Sequence, residues 1–297
     1  MTRIALATDG NDWHARALGA AFAALGASVV RVRLDACGFA TTHAHGLDLP
    51  GFADELPDAV LARTIAGGSF EEVTRRLGVL HALTALGVPV WNEARAIERC
   101  VDKSMTSFLL ARAGVPTPET WTVEGAARAR AVVASGGEWV LKPLFGAQGQ
   151  GLRRIATPDE LPAPDAVAGV YHLQRYVPPA GEEFRDHRVF VCNGEILAAM
   201  TRRGASWITN VKQGGVPEPL LPDREMAAIA LRAAAAVGAA YAGVDLIRDA
   251  GGQVFVLEVN SMPAWRGLQR VTDVNVALRL AGAVLAAASG RSGAGAA

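Results

Sequence analysis

Hydrophobic positions change their period several times along the chain, and each change marks an element. Residues 4–8 form a short apolar run of the kind buried strands use, residues 12–25 carry helical spacing and stop at Gly26, and residues 28–34 alternate as a second strand. This is a βαβ opening. Residues 37–57, rich in Gly, Asp, His and Thr, hold no period and read as loop, after which a helix over 70–86 ends at Gly87 and a strand over 88–91 follows. The first 95 residues therefore predict an α/β layer.

Residues 94–100 and 104–113 read as two helical pieces, the second closed by Gly114 and by Pro116 and Pro118, which make the first hinge candidate. A helix over 125–134, a strand over 139–142, a glycine-rich loop and a strand over 152–155 come next, and the prolines of 158–164 mark a second linker. From residue 170 the pattern turns to strands. Those over 171–177, 188–192 and 195–201, the last two joined by a tight Asn193-Gly194 turn, read as one antiparallel sheet. A helix over 224–240 precedes a second hairpin, 243–248 with 254–260, and the Gly/Ala/Ser residues 289–297 predict a disordered tail. The expected organisation is an N-terminal α/β domain (1–95), a central lobe carrying the glycine loop (96–168), a C-terminal lobe (169–288) and the tail.

Composition narrows the function classes. The 297 residues are 51% hydrophobic and carry 29 basic and 29 acidic side chains, so nothing favours a nucleic-acid partner. The N-terminus runs straight into a strand without a secretory pattern, and the most alanine-rich stretch, 226–244, contains Arg232, so neither export nor a membrane span is expected. Cys37, Cys100 and Cys192 lie far apart with no Cys-x-x-Cys, which argues against disulfides or zinc and fits the cytoplasm. Only three of the basic residues are lysines, Lys103, Lys142 and Lys212, and each therefore stands out.

Lys142 ends the strand before Gly146-Ala-Gln-Gly149-Gln-Gly151, a loop whose glycines let backbone N–H groups approach a phosphate. A Walker loop or a dinucleotide fold would lead into a helix, whereas here a strand follows; the loop reads as a flap over phosphates with Lys142 as a fixed charge beneath it. The plainer alternative is an ordinary glycine hairpin with a snorkelling lysine. Lys103 stands where a helix begins, a place that favours an anion, although a solvated lysine is the simpler reading of that residue alone.

The hairpin around 249–252 is the strongest constellation. With period 2, Glu258 and Asn260 share one face while Phe255, Leu257 and Val259 share the other, and Asp245 reaches the first face from the neighbouring strand. Carboxylates that close repel unless one is protonated or a cation lies between them. Hard oxygen donors without His or Cys favour Mg²⁺, with Mn²⁺ as an alternative; the other reading is a hairpin with a solvated polar face. Between the two segments lies a cationic set, Arg188, Arg202, Arg203 and Lys212 with Asn210, which could neutralise a triphosphate or consist of surface charges.

The order Asp102-Lys103, Lys142-Pro-Leu, Gly146-x-x-Gly149-x-Gly151, Gln174-Arg-Tyr176-Val177, Asp186-x-Arg188, Arg202-Arg203, Asn210 with Gly214-Gly215, Asp245 and Glu258-Val-Asn260 resembles the ATP-grasp superfamily, specifically its RimK-like carboxylate–amine ligases, over residues 95–285. The run Trp91-Asn-Glu-Ala-Arg-Ala-Ile-Glu98 also resembles the tetrahydromethanopterin-type glutamate ligases of that branch. The resemblance implies an α/β domain followed by two α+β lobes that enclose ATP, with adenine against 174–177 and cofactor contacts from Gln174, Tyr176, Val177, Asp186 and Asn210. It implies that Lys103, Lys142 and Gly146, Gly149 and Gly151 meet the phosphates, that Asp245, Glu258 and Asn260 hold Mg²⁺, and that Arg203 and Arg188 face the γ-phosphate and acyl phosphate. The chain departs from the common pattern at Arg175, where many relatives carry an acid.

The implied activity is formation of an amide from a small-molecule or peptide carboxylate and an amino acid, glutamate favoured, through an acyl phosphate. The alternatives are another amino acid, a dipeptide product, or an ATP-binding regulatory module without catalysis. A homo-oligomer is compatible with all of these. Acceptor recognition is expected in the N-terminal domain, where His43 and His45 read as loop residues rather than ligands.

Overall fold

The computed structural model describes residues 1–146, 148–179, 181 and 183–294. The opening layer is a parallel sheet ordered β2-β1-β5-β6, in which β1 is Arg3–Ala7 and β2 is Ser28–Val32. Helix α1 (Trp13–Ala24) connects them and starts where the Asp12 carboxylate accepts from the Ala15 N–H. The stretch expected to be loop holds a small hairpin, β3 (Gly38–Phe39) with β4 (Leu47–Asp48). Strand β5 (Ala59–Ala62) escaped the sequence reading because all four residues are buried, so no alternation marks it. Helix α2 (Phe70–Ala85) begins with a Ser69/Glu72 capping box and leads to β6 (Val90–Trp91).

Helix α3 (Ala94–Val101) runs into α4 (Lys103–Arg112), then a second sheet is ordered β7-β10-β8-β9. Its strands are β7 (Thr120–Glu124), β8 (Trp139–Lys142), β9 (Arg153–Ile155) and β10 (Val170–Arg175), with α5 (Ala126–Ala134) packed on one face. Here the structure corrects an expectation: β10 pairs with β7 and β8, not with the strands that follow it. Within the first hinge candidate, the Pro116 carbonyl accepts from Val256 N–H and the Thr117 hydroxyl donates to Val256 O.

The third sheet, β13-β12-β11-β14-β15, is antiparallel throughout. It contains β11 (Phe184–Cys192), β12 (Glu195–Gly204), β13 (Val216–Leu220), β14 (Tyr241–Arg248) and β15 (Val254–Asn260), with α6 (Arg224–Val237) across its back. Strand β13 sits at an edge, where Pro217 and Pro219 deprive no neighbour of a donor.

After the short α7 (Arg266–Gln269), helix α8 (Val276–Ala294) replaces the disordered tail expected from residue 289 as far as Ala294; residues 295–297 lie outside the described residues. Apolar on nearly every side, α8 offers no polar stripe to announce itself. Its Leu280 and Val284 lie in one core with Leu6, Leu18 and Phe22 of the first layer and Phe190, Tyr241 and Trp265 of the third sheet's side. Each such fully buried side chain contributes about 1.5–3 kcal/mol, so α8 joins the two ends of the chain. Asn92 adds a polar clamp, donating to Tyr241 O and Ser261 O at 2.7 and 2.6 Å and accepting from Ala240 and Tyr241 N–H at 2.6 and 3.1 Å. No helix among the described residues is long and apolar enough to cross a membrane.

Candidate active site

The second and third sheets face each other across a cleft of about 840 Å³, part of it open to solvent. One part of its lining is apolar, with Val140, Val177, Trp207, Ile247 and Leu257. The rest carries Lys103, Lys142, Gln174, Asp186, Arg202, Asn210, Asp245 and Glu258, and Gly146 and Gly149 of the glycine loop close one side. Apolar slot and charged groups thus share one space. No residue before Lys103 lines it.

Lys142 stands at the end of β8, and its ammonium donates to Gln174 Oε1 at 2.6 Å on neighbouring β10. Burial pushes it down to about 8, with Glu258 opposing and Lys103 reinforcing the shift. Lys103 is also lowered by burial, against the pull of Glu258 and Asp102. Its ammonium donates to Gly146 O at 2.8 Å and lies 3.9 Å from Glu258 Oε1. The start of α4 is not a vacant anion site, however. The Asp102 carboxylate already accepts from Ser104 and Met105 N–H at 2.8 and 3.1 Å, so Lys103 matters as a cation reaching the loop.

The loop is held against the third sheet's side. Lys212 donates to Gln148 Oε1 at 2.6 Å, and a Cβ added at Gly149, whose φ is +72°, would stand 2.5 Å from Asn210 Oδ1. Gly151, with φ +71°, packs on Pro143 and lies outside the lining. Tyr176 and Val177 do line it, and Arg175, the departure noted above, pairs with Glu119 at 2.7 Å and lies over the Trp139 ring.

Arg188 grips Asp245 through two 2.7 Å bonds, while Arg202 bonds Asp186 and also reaches Asp245 at 3.1 Å. Gly243, two residues before Asp245 on β14, packs against Pro263, whose Cβ would stand 2.8 Å from a Cβ added there. Burial disfavours the charge on Asp245, but Arg188 and Arg202 outweigh it and hold the carboxyl below its usual range. Asp245 therefore keeps its charge beside Glu258 because two arginines pair with it, while Lys103 lies near Glu258.

Arg203, by contrast, is not brought to the cleft. It points to the opposite side of β12, where its Nε meets Glu218 at 2.8 Å with about half the side chain exposed. Arg202, its neighbour, takes the inward position at 2% exposure. Alternation forbids both from facing one way. The sequence signal that could have chosen between them is the cross-strand partner Asp186, but a register shift between Phe190 and Val191 hides that pairing from a count outward from the turn.

A bulge also corrects the expected faces of β15. Asp245 pairs with Glu258 but Leu246 pairs with Val256, so Leu257 is the extra residue. Val254, Val256 and Val259 enter the core, and Leu257 joins Glu258 at the cleft. Asn260 turns its amide nitrogen toward Gly243 O and Asp245 Oδ2 at 3.3 and 3.5 Å, which leaves the amide oxygen for a cation. Among the described residues no three His, Cys, Asp or Glu side chains cluster, but two carboxylates and an amide oxygen suit Mg²⁺, which takes its other ligands from water and phosphate.

The chain is similar to known proteins over most of its length. Residues 100–284 match the model of the RimK-like ATP-grasp domain. A tetrahydromethanopterin:alpha-L-glutamate ligase of Methanococcus maripaludis is 38% identical over 199 residues, covering 65% of this chain and 68% of that protein. One of the same description from Methanosarcina acetivorans is 31% identical over 93% of this chain and 97% of its own. Among solved structures, the ATP-grasp ligase PsnB complexed with minimal precursor has a TM-score of 0.75 at 21% identity, covering 97% of this chain and 100% of that one, a likeness of fold.

Proposed function

The chain belongs to the RimK-like ATP-grasp family and is a carboxylate–amine ligase that forms an amide through an acyl phosphate, and on that premise we propose that it uses ATP and Mg²⁺ to join L-glutamate to the carboxylate of a pterin-type small molecule. The pterin assignment rests on three relatives, 38%, 37% and 31% identical, described as tetrahydromethanopterin:alpha-L-glutamate ligases, and the glutamate assignment also on relatives at 32–33% described as probable alpha-L-glutamate ligases. The observation that carries the chemistry is the cleft itself, where an apolar slot, two lysines, a glycine loop and paired Asp245 and Glu258 surround one space.

In this reading the adenine occupies the apolar part of the cleft against 174–177, and Asp186 and Asn210 line the same space. Lys103 and Lys142 bind the phosphates, and the backbone of the glycine loop covers them. Asp245, Glu258 and Asn260 would hold Mg²⁺, which when bound neutralises phosphate charge during transfer. Arg188 and Arg202 place positive charge beside Asp245, where the oxygens of a transferred phosphoryl group accumulate charge. The acceptor carboxylate attacks the γ-phosphate of ATP and displaces ADP. Phosphorylation turns its basic oxygen into a leaving group, the amine of the amino acid attacks the acyl carbon, and phosphate departs. The protein supplies position, charge and exclusion of water, which requires no covalently modified residue.

The experiment is phosphate release with ATP, Mg²⁺ and a panel of amino acids against pterin and peptide carboxylates, with mass spectrometry of each acceptor. A single glutamyl increment on a pterin carboxylate is expected. Turnover with a different amino acid or only with peptides would contradict the substrate assignment, and ATP binding without turnover across the panel would contradict catalysis.

A further inference from the structure

The first hundred residues supply nothing to the nucleotide cleft, yet their sheet ends on the segment that leaves β15. Tyr241 donates its hydroxyl to Ala62 O, Asn92 bonds Ser261 O, and Arg63 Nη1 donates to Met262 O at 3.2 Å. Met262 lies two residues beyond Asn260, so Arg63 stands at the seam between the N-terminal sheet and the proposed metal-binding strand. It also follows directly on the C-terminal end of β5, where its backbone N–H donates to Ala7 O of β1. From β1 the chain passes to β2 on one side of the sheet, and from β5 it passes to β6 on the other. A reversal of this kind opens a crevice at the carboxyl ends of parallel strands, the usual place for a ligand in such sheets.

Arg63 is the unusual group there. It is only 6% exposed, its Nε has no hydrogen-bond partner, and no carboxylate lies within ion-pair distance of its guanidinium among the described residues. Asp12, a carboxylate whose charge favours the Arg63 cation, is committed elsewhere, accepting from Ala15 N–H at 2.8 Å and pairing with His14 Nδ1 at 2.9 Å. His14 in turn accepts the backbone N–H of Trp265 through Nε2 at 3.1 Å, and Trp265 presents its ring to the guanidinium at 5.3 Å. A fixed platform thus carries a buried cation without a counter-ion. Burying an unpaired charge is costly, and an arginine fork matches a carboxylate in geometry. The loops around it, with Asp9, Gly10 and Asn11 after β1 and Gly67 and Gly68 after β5, are exposed.

We infer that Arg63 binds a substrate carboxylate that does not itself react, which makes the crevice between β1 and β5 the specificity subsite of the ligase. This rests on the ligase reading above. An amino acid joined through its amine brings at least one such carboxylate, and glutamate brings two; the acceptor is the other source of the same chemistry.

The test compares the full chain with Arg63→Met, which keeps the apolar cover on Trp265, and Arg63→Lys. L-glutamate and pterin-6-carboxylate serve as separate probes of the melting temperature in the presence of Mg²⁺ and a non-hydrolysable ATP analogue, and steady-state kinetics use the pair that turns over. Arg63→Met should abolish the shift from the carboxylate that binds and raise its KM about 10- to 100-fold, with KM for ATP nearly unchanged and partial recovery in Arg63→Lys. A rise confined to the amino acid assigns the carboxylate to the amine substrate, and a rise confined to the acceptor assigns it there. Unchanged shifts and KM values for both would overturn the inference. So would a parallel loss of ATP affinity and of free-protein melting temperature in Arg63→Met, which would mark Arg63 as a brace for Met262. Turnover with an amino acid other than glutamate would remove the glutamate assignment and leave this subsite standing.

Discussion

Lys142 makes ATP binding a proton-linked event, and the linkage can be measured. Burial lowers its ammonium from 10.5 to about 8, so near pH 8.5 roughly 0.8 of the molecules hold it neutral, against roughly 0.1 near pH 7. A polyphosphate brought alongside restores the charge, and binding must then take up a proton. His172, paired with Lys142 across β10 and pushed down to about 3 by burial and by the lysines, stays neutral throughout this window. Titration calorimetry with a non-hydrolysable ATP analogue, run in two buffers of different ionisation enthalpy, reads the uptake directly. About 0.8 proton is expected near pH 8.5, falling to about 0.1 near pH 7, and Lys142→Met should remove most of the difference. An uptake near zero at the higher pH, or one unchanged in Lys142→Met, would refute the reasoning. The sign carries over to stability: between pH 8 and 10.5 the unfolded chain binds this proton more tightly than the folded one, so the free protein gains stability as pH rises through that window. Lys142→Met should flatten that rise.

Other outcomes follow from the same geometry. Glu258→Gln should abolish turnover while circular dichroism stays native; unchanged turnover would remove Glu258 from the proposed metal site. Arg202→Met strips Asp186 and Asp245 of a shared buried partner and should cost about 3–5 kcal/mol in urea unfolding, whereas Arg203→Ala, losing one exposed pair, should cost less than about 1 kcal/mol. Equal losses would mean that the two arginines are not on opposite faces. Gly149→Ala forces a side chain into positive φ and against Asn210, so it should raise KM for ATP several-fold and speed hydrogen exchange in the loop; wild-type values for both would contradict the packing described.

Much of this site was legible because its chemistry interrupts apolar runs. Lys142 before three glycines, and Asp245 and Glu258 inside valine-rich strands, are anomalies visible without a structure. Lys212 also emerges with a function in the fold, since it holds the glycine loop through Gln148. What stayed hidden depends on single-residue shifts or on tertiary partners. The irregularity between Phe190 and Val191 concealed the pairing of Arg202 with Asp186, and the bulge at Leu257 reversed half of a face. Strand β5 is buried at every position and helix α8 is apolar on nearly every side, so periodicity had little to register. Arg63 is silent for a different reason: as one of many arginines it becomes conspicuous only when burial and the lack of a counter-ion are seen together.

The core of the reaction is phosphorylation of a substrate carboxylate and its capture by an amine. It is tested most directly by supplying the acceptor with oxygen-18 in its carboxylate and following the label through one turnover with ATP, Mg²⁺ and L-glutamate. ADP and one labelled oxygen in the released phosphate are expected for every glutamyl amide formed; AMP with pyrophosphate, or phosphate free of label, would contradict an acyl phosphate.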